Sequence, residues 1–351
     1  MTLVGLISNP LQALNFLELA YELKSEAWTL IVNELVGPDS TQLRTLLQDH
    51  SPEKLVWLPR SAQRIGSKEN IERQKLVSTT IRKLRPRHLA LGQYEPRNPL
   101  LTVAVGSAPS AKVFLLDEGT HTLLLLKKLT KSHSLPWDQR VKSLFSRMLV
   151  GASLKAPKDP TFFTVFHRSV PDDMRLQRNE YNRLKTMLKS KEECENVYLL
   201  GTMYHHFFSV EIYQSLLSDA VKKLETKGKL VYVPHRWEQL DPLLQFFSDS
   251  HILVEHNVMP FEWYLTTQVG APRAVAAFFS SALFNLAPLL SDFDTEIICL
   301  KTPRALFRTE KDANLVETIV SSLTANPSIL LHEISSNGQV PEKGDDASQN
   351  V

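Results

Sequence analysis

The chain has 351 residues, 43% of them hydrophobic and 22% charged, with a formal net charge of +2. That length accommodates two domains of ordinary size, and the composition is that of a globular chain with no bulk electrostatic case for nucleic acid. Two cysteines, Cys194 and Cys299, are too few for a disulfide framework and fit a reducing compartment.

Residues Met1–Ile7 lack the basic flank and long apolar region of a signal peptide and read as a first buried strand. Ser8-Asn9-Pro10-Leu11-Gln12 follows, then an amphipathic helix from about Ala13 to Lys24. Strand signals at Trp28–Asn33 and Leu55–Leu58 alternate with helices at Leu43–Asp49 and Ile71–Leu84, the latter basic on its outer face. His88–Gly92, Leu101–Val105 and Val113–Leu116 read as further strands. This order argues for a parallel sheet covered on both faces.

Phe114-Leu115-Leu116 runs into Asp117-Glu118-Gly119-Thr120, so an apolar strand stops at two acids, a glycine and a hydroxyl. In open α/β sheets, ligands bind outside the carboxyl ends of the strands. The plain alternative is a turn with an acidic cap for the next helix.

From Leu123 to about Pro160 the basic residues Lys127, Lys128, Lys131, Arg140, Lys142, Arg147, Lys155 and Lys158 are interleaved with apolar ones. This reads as a solvated helical surface, or as a basic amphipathic face for an anionic membrane or polymer. Pro157, Pro160 and Pro171 punctuate the exit, and a second alternating series begins.

In that series Thr161–Phe166 is a strand and Asp173–Leu188 a helix. Asn196–Leu200 is a strand ending at Gly201-Thr202, and Val210–Lys227 a helix ended by Gly228. Leu230–Val233 is a strand ending at Pro234-His235-Arg236, with Glu238 opening the next helix. Ile252–Glu255 is a strand and Phe261–Thr267 a short helix. Ala274–Phe279 is a strand ending at Ser280-Ser281, then Ala282–Leu290 is helical, so the apolar stretch Ala271–Leu290 is not a membrane span. Glu296–Leu300 and Ala313–Thr324 close the series, and a polar tail beyond about Glu333 is expected to be disordered. The expected architecture is α/β: two Rossmann-like domains, 1–160 and 161–332, facing across a cleft, followed by the tail 333–351.

Three turns can carry chemistry. A histidine held after a strand and Pro234 either packs and caps, or donates to a phosphate with Arg236 adding charge. Ser280-Ser281 at a strand-to-helix turn either caps the helix or helps hold a phosphate at free N–H groups. Glu262 either accepts from ribose hydroxyls or is a first-turn helix acid. Asp292-Phe293-Asp294 has a metal-binding form but follows a helix and lacks a third ligand.

An acidic pair before glycine, a His/Pro turn and paired serines, in this order, resemble the bacterial sialyltransferases of two-Rossmann-domain (GT-B) type, closest to the α-2,8-polysialyltransferase-like group. Asp117-Glu118-Gly119 and Ser280-Ser281 match the first and third motifs. The second departs, because Pro234 precedes His235 here. The resemblance implies metal-independent, inverting transfer of sialic acid from CMP-sialic acid to a glycan or glycolipid hydroxyl, with no cofactor beyond the donor. It implies Glu118 as general base with Asp117 orienting it, and His235 as donor to the leaving phosphate. Ser280 and Ser281 would hold that phosphate, Glu262 would touch the ribose, and Arg236 would pair with the sialic acid carboxylate. A cytoplasmic enzyme, peripheral at the inner membrane, is the expected setting. The rivals are a GT-B transferase using CMP-Kdo or a UDP-sugar, a nucleotide-sugar epimerase, and a non-catalytic sugar-binding protein of the same fold.

Overall fold

A computed structural model describes residues 2–33, 37–48, 50, 54–59, 67–92, 98–128, 143, 146–248, 250–256 and 259–334. The chain forms two compact units. The first comprises Met1–Glu193, Asn257–Ala271 and Phe284–Phe293, and the second Cys194–His256, Pro272–Leu283 and Asp294–Val351.

The first unit is built on seven parallel strands: β1 (Thr2–Ile7), β2 (Ala27–Val32), β3 (Lys54–Trp57), β4 (His88–Leu91), β5 (Lys112–Leu116), β6 (Thr161–Thr164) and β7 (Arg175–Arg178). Their order is β3-β2-β1-β4-β5-β6-β7. Residues such as Leu3, Val4, Leu30, Leu89 and Phe114 are fully buried, as strands covered on both faces require. The connecting helices are α1 (Pro10–Glu22), α2 (Pro38–Gln48), α3 (Lys68–Leu84), α4 (Pro99–Ser107) and α5 (Thr120–Lys128). Their starts obey local chemistry. Asn9 caps α1 by accepting from the Gln12 N–H at 2.9 Å, with Pro10 in the first turn, and Ser67 caps α3 through the Asn70 N–H.

Three expectations for this half are corrected. Leu101–Val105 is not a strand but the middle of α4, because Asn98 accepts from the Leu100 N–H and Pro99 sets the first helical φ. A short apolar run buried on all sides has no period that separates the two states. Asp173–Leu188 is not one helix. It divides into edge strand β7 and α6 (Asn182–Leu188), and the charges of Arg175 and Arg178 sit on an exposed edge, where they discourage further pairing.

The domain boundary is not at 160 but between Glu193 and Cys194. β6 continues the first sheet, pairing Phe114 with Thr161 and Leu116 with Phe163. Residues 179–184 are then fastened to α1. Tyr181 Oη donates to Asn15 Oδ1 at 2.8 Å, and Asn179 Nδ2 donates to the same oxygen at 2.9 Å. The Arg183 and Leu184 N–H groups at the start of α6 donate to the buried Glu18 carboxylate.

The second unit has six parallel strands: β8 (Cys194–Leu200), β9 (Lys229–Val233), β10 (Leu253–Val254), β11 (Pro272–Ala277), β12 (Glu296–Lys301) and β13 (Ile329–Glu333). Their order, β10-β9-β8-β11-β12-β13, is the doubly wound dinucleotide-fold order. Its helices include α7 (Val210–Leu224), capped by Ser209, α8 (Asp241–Phe247) and α11 (Glu310–Thr324), capped by Thr309. In chain order between α8 and α11 come α9 (Phe261–Tyr264), extended by one π-turn and belonging to the first unit, and α10 (Ala282–Leu289), which is divided between the two units.

Edge strand β13 had no counterpart in the sequence reading. Gly228 does not cap α7, which ends at Leu224. Its missing side chain instead admits the Glu195 carbonyl, which would lie 2.4 Å from a Cβ. Cys299 is a free core thiol, pushed up to about 12 by burial, and Cys194 is also free.

Among the described residues no helix is long and apolar enough to cross a membrane. In the basic stretch Arg147, Lys155 and Lys158 are exposed, while 129–142, 144 and 145, like the tail 335–351, lie outside the described residues.

Gly106, in α4, lies against the Ser153 carbonyl, 1.8 Å from where a Cβ would stand. Gly106→Ala is expected to cost at least about 1–3 kcal/mol, read as a lower urea midpoint at unchanged slope.

Candidate active site

Each sheet reverses its winding next to its first strand, between β1 and β4 in one unit and between β8 and β11 in the other. A crevice opens at the carboxyl ends there, because the helices leave in opposite directions.

In the second unit the strand ends beside that point carry two of the three expected turns. β8 ends at Gly201-Thr202, β9 at Pro234-His235-Arg236, and β11 leads to Ser280-Ser281 and α10. The serine and histidine turns therefore flank one strand, β8. Ser280 Oγ accepts from the Ala282 N–H at 3.2 Å and so caps the turn, while the half-buried Ser281 hydroxyl has no partner among the described residues.

His235 is held by a buried acid beneath it. Glu238 Oε2 accepts from the His235 N–H at 2.7 Å, and Glu238 Oε1 accepts from Tyr232 Oη at 2.7 Å. Tyr232 and Tyr213 share a hydroxyl hydrogen bond at 3.1 Å, and Tyr213 Oη accepts from the Thr202 N–H. Glu238 thus does not open a helix; its N–H closes a tight turn back on the His235 carbonyl. Burial raises its carboxyl to about 7. Gly201 is required by this packing, since a Cβ there would meet Glu238 Oε2 at 2.1 Å and the His235 nitrogen at 2.8 Å.

Burial, then the neighbouring Arg236 and His205, push the His235 imidazole down to about 4. Its Nδ1 accepts from the Trp237 N–H at 3.2 Å, which leaves the proton on Nε2. At neutral pH this residue is a neutral, oriented N–H donor and not an imidazolium. Arg236 is exposed beside it.

In the first unit the acidic pair divides. Asp117 is buried, its Oδ2 accepting from the Val165 N–H at 2.8 Å, so it ties the end of β5 to the end of β6. Burial, only partly offset by hydrogen bonds from Thr164 and Val165, raises it to about 7. Glu118 is the less buried of the two at 24% exposure, with its buried Oε2 3.3 Å from His121 Nδ1, and its N–H donates to Thr122 Oγ1. Gly119 allows the divergence by taking a φ of +65°.

The setting of Glu262 is that of a structural acid. It belongs to the first unit, is buried, and accepts from Asn285 Nδ2 at 2.7 Å, which leaves no open face for a ribose. Asp292 is exposed and ion-paired with Lys189 at 2.7 Å, and the described residues hold no cluster of three metal-ligating side chains.

Sequence reasoning assigned Glu238 to a helix start and missed its role under the turn, together with Tyr213, Tyr232 and His205. The signal available was Gly201 directly after an apolar strand, a position that demands a close neighbour.

Several solved structures superpose on this chain. A Listeria monocytogenes structure assigned as a UDP-N-acetylglucosamine 2-epimerase superposes with a TM-score of 0.50 at 11% identity, covering 93% of this chain and 88% of that one. The fold is of the GT-B type. Acinetobacter baumannii MurG gives a TM-score of 0.48 at 10% identity, covering 95% of this chain and 86% of that one. The Escherichia coli heptosyltransferase WaaC with ADP gives 0.46 at 12%, covering 96% and 94%. No family model matches the chain, and no curated protein matches it.

Asp117 supplies a pH test. Its native value of about 7 stands above its ordinary 3.8, so the native state holds the proton more tightly. The group therefore favours folding below about pH 4, and that contribution is lost as pH rises through about 7. Asp117→Asn is expected to melt higher than the parent at pH 8, with the gap closing toward pH 4 in a thermal scan series.

Proposed function

We propose that the protein is a GT-B glycosyltransferase that moves a sugar from a nucleotide-activated donor to a glycan hydroxyl. The observation that carries this reading is the second unit's crevice. There a neutral imidazole on a fixed turn and a serine-capped helix start stand at strand ends on either side of β8. A helix start with spare N–H groups suits a phosphate, and an oriented Nε2–H suits the oxygen on which negative charge develops as a nucleotide leaves.

The finer reading is transfer of sialic acid from CMP-sialic acid, after the order of the acidic, His/Pro and paired-serine motifs. In it Glu118, the less buried carboxylate of the pair, takes the acceptor proton, and Asp117 fixes the turn from beneath. His235 donates from Nε2 to the departing CMP phosphate, Ser280 and Ser281 hold that phosphate, and Arg236 meets the sugar carboxylate. Pro234 sets the turn. The ribose role of Glu262 is dropped because its carboxylate is committed to Asn285.

A UDP-sugar donor is the second reading, favoured by the Listeria structure, whose assigned substrate is UDP-N-acetylglucosamine. CMP, UMP, UDP and GDP tested by thermal shift separate the two, because a ligand of the native state raises its melting temperature. A shift by CMP alone supports the sialyl reading, and a shift by UDP alone replaces it.

Positioned proton transfer contributes roughly 100- to 10,000-fold, and a fixed donor aimed at developing charge roughly 100- to 1,000-fold. Glu118→Gln and His235→Ala are each expected to lower turnover of CMP-sialic acid by at least ~100-fold while the melting temperature stays near the parent's. Near-normal turnover in either variant removes that residue from the mechanism. Since His235 is held near 4, wild-type turnover is expected to show no alkaline limb between pH 6 and 8 from loss of an imidazolium proton.

A further inference from the structure

The first unit has its own switch point, between the paired strands β1 and β4, and a cation with no described counter-charge is buried beside it. Arg73, in the first half of α3, is buried to 8% exposure. Every other basic residue of α3 is exposed. Arg73 Nη1 donates to Asn70 Oδ1 at 3.2 Å and Nη2 to Asn33 Oδ1, both neutral acceptors, and Nε has no partner. No described carboxylate pairs with it, and burial is the cause that lowers its pKa.

The contacts continue across the strand ends. Asn33, directly after β2, donates through Nδ2 to Ser8 Oγ at 3.3 Å, and Ser8 follows β1. The Ser8 N–H donates to Gln12 Oε1 at 2.7 Å, and Gln12 is fully buried with its Nε2 unpartnered. Gly92, after β4, leaves room for that amide, whose oxygen would lie 2.2 Å from a Cβ. Two buried side chains thus keep donor hydrogens unsatisfied at one topological switch point.

An isolated buried guanidinium is costly unless an anion meets it, and a planar fork beside amide donors matches the oxygens of a carboxylate or a phosphate. We propose that Arg73, with Asn33 and Gln12, forms an anion-binding subsite in the first unit, and that its occupant is a negatively charged group on the acceptor. The second half rests on the transferase reading; the anion site itself does not.

Binding by titration calorimetry tests it without any transfer step. The probes are the methyl glycoside of N-acetylneuraminic acid, its uncharged methyl ester, and glucose 6-phosphate, with CMP as a control for the other unit. Wild-type protein is expected to bind at least one of the two anions and not the ester, and the tighter one identifies the group as carboxylate or phosphate. Arg73→Gln is expected to weaken that binding about 10-fold or more and to leave CMP affinity unchanged. Asn33→Asp, nearly isosteric, supplies a carboxylate where Nη2 already bonds, so it is expected to raise the melting temperature and weaken anion binding to the same degree. If Arg73→Gln does not fold, Asn33→Asp decides.

Failure of both anions to bind the wild type overturns the proposal. So does unchanged anion affinity in Asn33→Asp. Absence of CMP-sialic acid turnover would sink the sialyl reading alone, and absence of turnover with CMP- and UDP-sugars alike would sink the transferase reading; either leaves this binding result standing.

Discussion

A doubly wound parallel sheet leaves the carboxyl ends of two neighbouring strands uncovered where its winding reverses, and the chain must satisfy the backbone there without filling the gap. This protein meets that constraint twice, with buried polar side chains under the turns. Glu238, with Tyr213 and Tyr232 behind it, holds the His235 and Thr202 backbone in the second unit. In the first unit Gln12 and Asn33 tie the ends of β1 and β2, and Asp117 ties the end of β5 to that of β6.

Burial gives these groups their chemistry. Glu18, Asp117 and Glu238 are all raised to about 7 by burial, and each spends its carboxyl oxygens on backbone N–H groups. The same desolvation acts in the opposite sense on His235, where it keeps the ring neutral. The structural acids lie beneath the turns, while Glu118 is only partly buried and Arg236 is exposed.

Much of the site was legible along the chain because strand ends announce themselves. An apolar run that stops at Asp117-Glu118-Gly119, at Pro234-His235 or at Ser280-Ser281 marks where a buried strand reaches a loop, and parallel sheets place such loops on one edge. The elements misread were those whose local pattern is ambiguous. Leu101–Val105 is buried on every side within a helix, and Arg175–Arg178 is a charged edge strand. Neither shows the alternation that identifies its state.

By itself the sequence determined the alternation of strands and helices, the parallel sheets, and which loops bear acids, imidazole and hydroxyls, because these follow from periodicity and local turn chemistry. Only the tertiary structure decided which acid of the pair is buried, that Glu262 serves Asn285, that the first unit runs to Glu193, and that Arg73 is sealed without a counter-charge among the described residues. Burial and partnership depend on residues such as Asn15 and Tyr181, 166 positions apart, and no local pattern encodes a contact at that separation.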